Sequence, residues 1–419
     1  MLRPAPRVHR RVDGRATRSR TGHVLRPPHG QEELRLPPLR PGGGAGRAAH
    51  HDRRSGPGRP DRQGVVRSGA ADPRRHRQVR RPHAGPSTRR PTGPVRVTIA
   101  TSTLGDWLFR ASELLTPLYE LMHARVLRSR VIHGDDTGVK LRVPGSHRTA
   151  KAYIGDADHP YVLFDFTTDY TADGPKQFLA GYKGYLQADA LAQYEGLYGE
   201  RKVQHVCCVA HARRKFVAAH DTGDERAAQA LGLFGRLYAI ERALPPLLPP
   251  SDDPAVRELR RHREEQRRAL RGRDAEPVWD ELSKWLTEQK PGALPKSPLG
   301  TAIGYATNNW GALKRYLEQG FLALDNNLSE RTLRAIALGR NNWGVFGSAG
   351  GGRTAAVLFS VIGTCKHLGL DPFAYLREAL PGVFAPGENQ TTERLMDGLP
   401  DRWLLNRTRD QTAPDAATR

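Results

Sequence analysis

Three short acidic segments carry the residues best suited to chemistry in this chain. They are residues 133–137 (His-Gly-Asp-Asp-Thr), 186–189 (Leu-Gln-Ala-Asp) and 325–331 (Asp-Asn-Asn-Leu-Ser-Glu-Arg). Asp135 and Asp189 each end an apolar, strand-like run, whereas Glu330 opens a helix-like run. Carboxylates at strand ends and at one helix start can converge to hold two Mg²⁺ ions about 3.5–4 Å apart, as in-line phosphoryl displacement requires. The pattern therefore predicts a divalent-metal site for phosphodiester chemistry.

The elements that must position these acids alternate between strands and helices. An amphipathic helix is predicted from Thr103 to about Arg128. Strands are predicted at 131–135, 138–143, 151–155, 161–166, 184–188 and 203–209, and helices at 174–182, 191–197, 327–338, 354–368 and 372–380. This order predicts an α/β fold in which a mixed sheet is flanked by helices.

Composition and Pro-rich breaks divide the chain into six segments. The predicted divisions are 1–96, an Arg/Gly/Pro-rich disordered segment; 97–130, a helical lead-in; 131–211, the first part of the catalytic core; 212–317, a mainly helical insertion between the second Asp and the Glu; 318–385, the rest of the core; and 386–419, a flexible tail. The charged run from Arg257 to Arg273 within the insertion is predicted to be a solvated helix face.

Most of the net charge of +22 lies in one segment. Residues 1–96 contain 24 Arg, no Lys and 6 acidic residues, so they contribute +18. They also contain no Phe, Tyr, Trp, Ile, Asn or Cys, so they cannot bury enough apolar surface to fold. Residues with GC-rich codons dominate; we therefore favour out-of-frame translation up to about residue 95 over an evolved basic arm. A frame check on the nucleotide sequence distinguishes the two.

Cysteine usage and hydropathy indicate a cytoplasmic protein. The three cysteines, Cys207, Cys208 and Cys365, are too few for a disulfide scaffold. No apolar run of 18 residues is present, so a membrane partner is not expected.

With these segments in place, the chain resembles the transposases of the insertion-sequence-66 family. The resemblance is carried by Gly-Asp-Asp-Thr at 134–137, Tyr-Leu-Gln-Ala-Asp at 185–189 with Tyr194, Cys-Val-Ala-His-Ala-Arg-Arg-Lys-Phe at 208–216, and the blocks 325–346 and 369–376. It covers residues 97 to about 380. Two departures are Asp136, where the family usually has Glu, and residues 1–96, which lack the family's upstream cysteine-bearing and helix-turn-helix region.

The resemblance implies a DDE enzyme with a ribonuclease-H-like core that cleaves element ends and transfers the strand into target DNA. It implies that Asp135, Asp189 and Glu330 are the catalytic, metal-binding triad, with Mg²⁺ or Mn²⁺ as cofactor. The implied partners are element-end and target DNA, further copies of the chain in a synaptic complex, and accessory proteins of the element. Binding to DNA implies a nucleoid-associated protein. Asp136, Cys208 and His211 are expected to support the site.

Each site residue also has a purely structural alternative. Adjacent strand residues point to opposite faces, so only one of Asp135 and Asp136 is expected to enter the site, and we expect Asp135. Asp189 could instead cap the following helix. Asn327 and Glu330 have the spacing of a capping box.

The basic and sulfur-bearing candidates have alternatives too. Arg331, Arg334, Arg340 and Arg353 are expected to contact DNA phosphates, although Arg334 has the spacing for an ion pair with Glu330. Cys208 and His211 have the spacing of half a zinc site, but a packed thiol and a hydrogen-bonded histidine are the expected outcome.

Two other functions fit the same residues. The chain could be an inactive or truncated relic that binds DNA without catalysis, and its affinity would then fall steeply with salt. It could also be a nuclease that uses the same metal site without strand transfer. Incubation with Mg²⁺ and element ends distinguishes the three hypotheses, which predict joined products, cleavage only, or neither.

Overall fold

The computed structural model describes residues 99–142, 147–169, 171–190, 192–198, 203–383 and 392–412. The predicted out-of-frame segment, 1–96, lies outside these residues. One compact unit runs from Gly105 to Arg419 and contains the five strands of the described sheet. The other unit runs from Met1 to Leu104, and its described part is 99–104, where the first helix begins.

A five-stranded mixed sheet lies at the centre of the larger unit. Its strands are β1 (Val131–Lys140), β2 (His147–Ile154), β3 (Val162–Thr167), β4 (Tyr185–Ala188) and β5 (Gln204–Cys207). Their order across the sheet is β3-β2-β1-β4-β5. β1, β2 and β3 pair antiparallel, whereas β4 is parallel to both β1 and β5. The predicted α/β class with a mixed sheet is therefore confirmed.

The first strand differs from its prediction. Two strands were expected on either side of Asp136, but β1 is continuous through it. The reason is its long antiparallel ladder with β2, which pairs every residue from His133 to Lys140. Asp135 therefore lies within a strand rather than at its end.

Helices make up most of the rest of the described residues. Those before the third acidic segment are α1 (Thr101–Val126), α2 (Asp173–Phe178), α3 (Ala192–Glu195), α4 (Val209–Asp221), α5 (Arg226–Ala243), α6 (Pro254–Asp274), α7 (Glu276–Gln289), α8 (Pro298–Asn308) and α9 (Trp310–Lys314). Those after it are α10 (Asn327–Trp343), α11 (Ala349–His367), α12 (Pro372–Val383), α13 (Thr392–Asp397) and α14 (Pro400–Thr412). The segment between the second Asp and the Glu is thus mainly helical.

The described part of the tail differs from the predicted loose chain. Residues 392–412 form α13 and α14, and α14 packs on the core. Trp403 meets Tyr375 of α12 edge to face, with ring centroids 5.7 Å apart. The Tyr161 hydroxyl donates a hydrogen bond to Asp401 Oδ1 at 2.9 Å. An aromatic pair and a buried phenol fix this region against the sheet domain.

Three hydrophobic clusters hold the fold. One face of the sheet packs on α10 and α11, where Leu333 and Ile336 meet residues such as Ala152 and Phe164. The opposite face packs on α1, α2 and α12. A third cluster fills the helical segment with aromatic side chains, among them Trp279 of α7. The same cluster includes Val131 of β1 and Val206 and Cys207 of β5, so the core of the helical segment is continuous with the sheet.

The charged run in α6 is not wholly solvated. Arg271 is fully buried, and its guanidinium donates to Glu241 and to the backbone carbonyls of Tyr316, Gln319 and Leu322 at 2.7–2.9 Å. The prediction of a solvated face is wrong for this residue, because these acceptors come from segments distant in sequence. Buried charges are tolerated when they are paired and hydrogen-bonded in this way.

Among the described helices, none is both long and apolar enough to cross a lipid bilayer.

Candidate active site

The first acidic pair splits across the sheet. Asp135 pairs with Ala152 of β2, which belongs to the core under α10, and Asp136 pairs with Lys151. Successive strand residues point to opposite faces, so Asp135 lies on the α10 face and Asp136 on the other. On that other face, Gln193 donates to Asp136 Oδ2 at 3.1 Å and accepts from Lys151 Nζ at 2.8 Å. Asp136 is therefore tied into a polar network away from α10.

The second acid lies level with the first. β1 and β4 pair in parallel with His133 opposite Gln187, and the same register continued by two residues places Asp135 beside Asp189. Asp189 Oδ1 accepts hydrogen bonds from the Ala190 amide at 2.8 Å and from the Tyr305 hydroxyl. Tyr305 comes from α8, so the helical segment supplies a residue to the site. Burial is the largest cause of the raised pKa of Tyr305. The hydroxyl therefore keeps its proton and can donate it to Asp189 in a hydrogen bond.

The third acid faces α4 across the site. Arg214 Nη2 donates to both carboxylate oxygens of Glu330, at 3.2 and 3.3 Å. The capping-box alternative fails, because Asn327 is the first residue of α10 and its amide and side chain both bind Asp325. Among the described residues, no ion pair joins Glu330 to Arg334.

His211 of α4 lies between the second and third acids. Its Nε2 is 3.6 Å from Asp189 Oδ2, and its Nδ1 is 3.6 Å from Glu330 Oε1. Nδ1 is buried and has no hydrogen-bond partner in the described structure. Cys208, His211 and Glu330 also bring one ligand atom each within 4.8 Å of one another. The sequence did not predict that Glu330 joins this pair.

A buried asparagine fixes the segment that carries Glu330. The side-chain Nδ2 of Asn326 donates to the carbonyl of Gly134 at 2.8 Å, and its backbone N–H donates to Cys208 Sγ at 3.2 Å. Its Oδ1 accepts from Ser329 Oγ at 2.7 Å and from His133 Nδ1 at 3.0 Å. We call these contacts the Asn326 clasp. Asn326 is fully buried, so these bonds form away from water. Those to Gly134 and His133 hold the start of α10 against β1, and the bond to Cys208 holds it against the start of α4.

The second acidic motif supports the same segment. Gln187 is fully buried, and its Nε2 donates to the carbonyls of Ala323 and Asp325 at 2.6 and 3.1 Å. The Gln-Ala-Asp sequence of β4 therefore has two roles: its Gln secures the approach to α10, and its Asp faces the site.

Several residues that hold the acids in place were not predicted from the sequence. Gln187 and Asn326 lie inside the acidic motifs, Gln187 near a predicted strand end and Asn326 just before a predicted helix, and these positions were the available signal. Tyr305 and Arg214 gave no such signal, because their contacts join segments 116 residues from their partners.

The predicted DNA-binding arginines lie in different surroundings. Arg331 and Arg334 are exposed on α10. Arg340 donates to Thr137 Oγ1 at 3.1 Å and to the Gly138 carbonyl at 2.8 Å, so it also attaches α10 to β1. Arg353 lies on α11 and lines a cavity of about 430 Å³ that also contains acidic side chains. The structure thus does not gather the four into one patch.

Electrostatics link the three acids. The pKa of Asp135 is raised from 3.8 to about 7. Burial is the largest cause, and repulsion from Asp136, Glu330 and Asp189 adds to it, whereas a hydrogen bond from the Asp136 backbone amide opposes it. A cation bound near Asp135 would relieve the repulsion between its carboxylate and those of Asp189 and Glu330. Carboxylate oxygens are the ligand type that suits Mg²⁺ and Mn²⁺, and the unpartnered imidazole nitrogen adds a ligand that Mn²⁺ accepts. Among the described residues, the ligand atoms that lie within 4.8 Å of one another are those of Cys208, His211 and Glu330, a group that does not include Asp135 or Asp189.

The raised pKa of Asp135 predicts a pH-dependent stability gain for Asp135→Asn. The folded state holds the proton up to about pH 7, whereas the unfolded chain loses it near pH 4, so the free energy of unfolding falls as pH rises between these values. Asn cannot ionise and removes this penalty. In EDTA we expect the variant to be more stable than wild type by about 1–3 kcal/mol at pH 8, and by less at pH 5.

Thermal or urea unfolding at the two pH values measures this gain. Asp221→Asn, a change of an exposed acid at the end of α4, is the control and should show no pH-dependent difference. An equal effect of Asp135→Asn at pH 5 and pH 8 would show that Asp135 ionises normally in the fold.

Comparison with known proteins adds the family context. A family model described as "Transposase IS66 family" matches residues 93–354. An uncharacterized protein of Sinorhizobium fredii (strain NBRC 101917 / NGR234), y4hP, is 29% identical over 332 residues, covering 73% of this chain and 57% of the relative. A second from the same organism, y4jD, is 30% identical over 325 residues, covering 73% and 60%. The chain thus spans less than two thirds of the length of these relatives.

Proposed function

Because the chain belongs to the IS66 family of transposases, we propose that it is a DDE-type DNA transposase that cleaves element ends and transfers the strand into target DNA. Asp135, Asp189 and Glu330 act as the catalytic triad in this proposal. DNA is the substrate, and at least two copies of the chain would synapse two ends in the cytoplasm, with accessory proteins of the element as further partners.

The observation that carries the proposal is the position of two acids on either side of His211, with the third acid on the neighbouring strand. Asp189 and Glu330 each lie 3.6 Å from one nitrogen of this ring, and Asp135 is level with Asp189 in the sheet. The mixed sheet, with three antiparallel strands followed by two parallel ones, is compatible with a ribonuclease-H-like core. We include that core in the proposal.

Asp135, Asp189 and Glu330 would hold the divalent cation. When bound, it would supply an activated water or 3′-hydroxyl and stabilise the leaving oxygen. Tyr305 and the Ala190 amide occupy Asp189 Oδ1, which leaves Oδ2 directed towards His211. Arg214 neutralises Glu330 and restrains its carboxylate. Asp135 must release its proton to act as a ligand, because only the carboxylate binds the cation well.

One assay tests the proposed function. The purified chain is incubated with labelled element-end DNA and a target plasmid, in Mg²⁺, in Mn²⁺ or in EDTA. We expect joined products with either metal and none in EDTA. Cleavage without joining would indicate the nuclease alternative. Binding without either reaction would indicate the relic and would overturn the proposal.

A further inference from the structure

A cavity of about 560 Å³ opens between α4 and α5 next to the acids. We call it the α4–α5 groove. Its lining includes Arg213 and Arg214 from α4, Tyr238 and Arg242 from α5, and Asn327 from the start of α10. Gly235 of α5 also lines it, and an added Cβ there would meet no atom within 4 Å. The groove is therefore open space of the size in which small ligand groups bind.

The groove has an uncompensated positive charge. Three guanidinium groups and no carboxylate line it, and of the three Arg214 is paired with Glu330. Among the described residues, neither Arg213 nor Arg242 has a carboxylate within salt-bridge distance. Elsewhere on α5 the pattern is different, because Arg226 pairs with Asp224 at 2.8 Å and Arg236 pairs with Glu281. Unpaired arginines around an open cavity favour an anion as the missing partner.

The groove is continuous with the candidate site. Arg214 forms part of its wall and also donates to Glu330. Asn327 lies three residues before Glu330 on the same helix. An anionic chain that has one phosphodiester at the acids can therefore place a neighbouring phosphate among the arginines. Guanidinium groups bind phosphate oxygens in a bidentate manner, which positions the strand without reading its sequence.

We propose that the α4–α5 groove binds backbone phosphates of the DNA strand next to the bond that is cut. The inference rests on the proposed function and extends it by naming the groups that position the substrate. Arg213 and Arg242 are positioning residues in this scheme, since they bind the strand beside the reacting phosphate. Free phosphate or a nucleotide shares the same chemistry, and the experiment below separates it from DNA.

The test compares two double variants that remove the same charge. Arg213→Gln/Arg242→Gln removes the two unpaired arginines of the groove. Arg257→Gln/Arg268→Gln removes two exposed arginines of α6 and is the matched control. Binding of a fluorescent 40-bp duplex is measured by anisotropy in EDTA across a salt series. We expect the groove variant to lose affinity about tenfold or more, with a slope of log K against log[salt] that is shallower by about 1–2, while the control changes far less.

Further readouts keep the inference separate from the proposed function. With Mg²⁺, the groove variant should show a raised KM for DNA and a largely retained kcat. Equal salt slopes for the groove and control variants would overturn the inference even if wild type cuts DNA. Loss of binding to inorganic phosphate with unchanged DNA binding would also overturn it, because the groove would then be a free-anion site. If wild type cuts no DNA yet the slopes differ, the proposed reaction fails and the groove remains a DNA-binding site.

Discussion

Asp189→Asn is expected to lower Mg²⁺-dependent cleavage and strand transfer by about 10³-fold or more, while DNA binding stays near the wild-type level. In the proposed reaction a cation held by Asp189 would supply several kcal/mol of transition-state stabilisation, and a loss of about 4 kcal/mol corresponds to this factor. The fold should tolerate the change, because the Asn carbonyl can still accept from Tyr305 and the Ala190 amide. Only the charge that faces His211 is lost.

Single-turnover cleavage of element-end DNA, together with anisotropy binding, measures the two effects. Asp221→Asn serves as a control, since it removes one carboxylate from an exposed position at the end of α4. Full cleavage activity in Asp189→Asn would remove this residue from the proposed triad. Joint loss of DNA binding and thermal stability would mean that the acid has a structural role instead.

Arg271→Ala is expected to destabilise the helical segment by about 3–5 kcal/mol, the cost of breaking a buried ion pair by removing one partner. The change leaves the Glu241 carboxylate, which is only 13% exposed, without its closest cation. It also leaves the backbone carbonyls of Tyr316, Gln319 and Leu322 without the hydrogen-bond donor that Arg271 supplies. The Arg271 guanidinium further lies 5.0 Å from the centroid of the Tyr316 ring, and this contact is lost as well.

Urea unfolding and amide hydrogen exchange test this expectation. Exchange should accelerate most in α6 and around residues 316–322. Arg268→Ala changes an exposed arginine on the same helix and should cost less than about 0.5 kcal/mol. Similar losses for the two variants would show that burial of Arg271 contributes little.

Local sequence patterns predicted most of the elements, because the spacing of apolar residues in a strand or helix follows the face that is buried. The helix Thr101–Val126 and the strands around Ala152, Phe164 and Leu186 follow from apolar periodicity. The break expected in β1 was wrong, since pairing with β2 overrides the weak strand preference of adjacent Asp residues. Tertiary pairing cannot be read from a short window of sequence.

The candidate site shows the same limit. The three acids and His211 could be named because they stand in recognisable motifs. The capping box was locally plausible, but Asp325 binds Asn327 and leaves Glu330 to face Arg214. The roles of Tyr305 and Arg271 depend on contacts between distant segments, for which neither composition nor spacing gives a signal.

The Asn326 clasp also has a consequence for protein synthesis. It joins His133 to a residue 193 positions later in the chain. A ribosome makes the chain from its N-terminus, so β1 is translated long before the segment that completes its environment. Contacts of such separation form late in folding. Nascent or prematurely ended polypeptides that stop before Asn326 therefore lack both the clasp and Glu330, so the three acids come together only after most of the chain has been made.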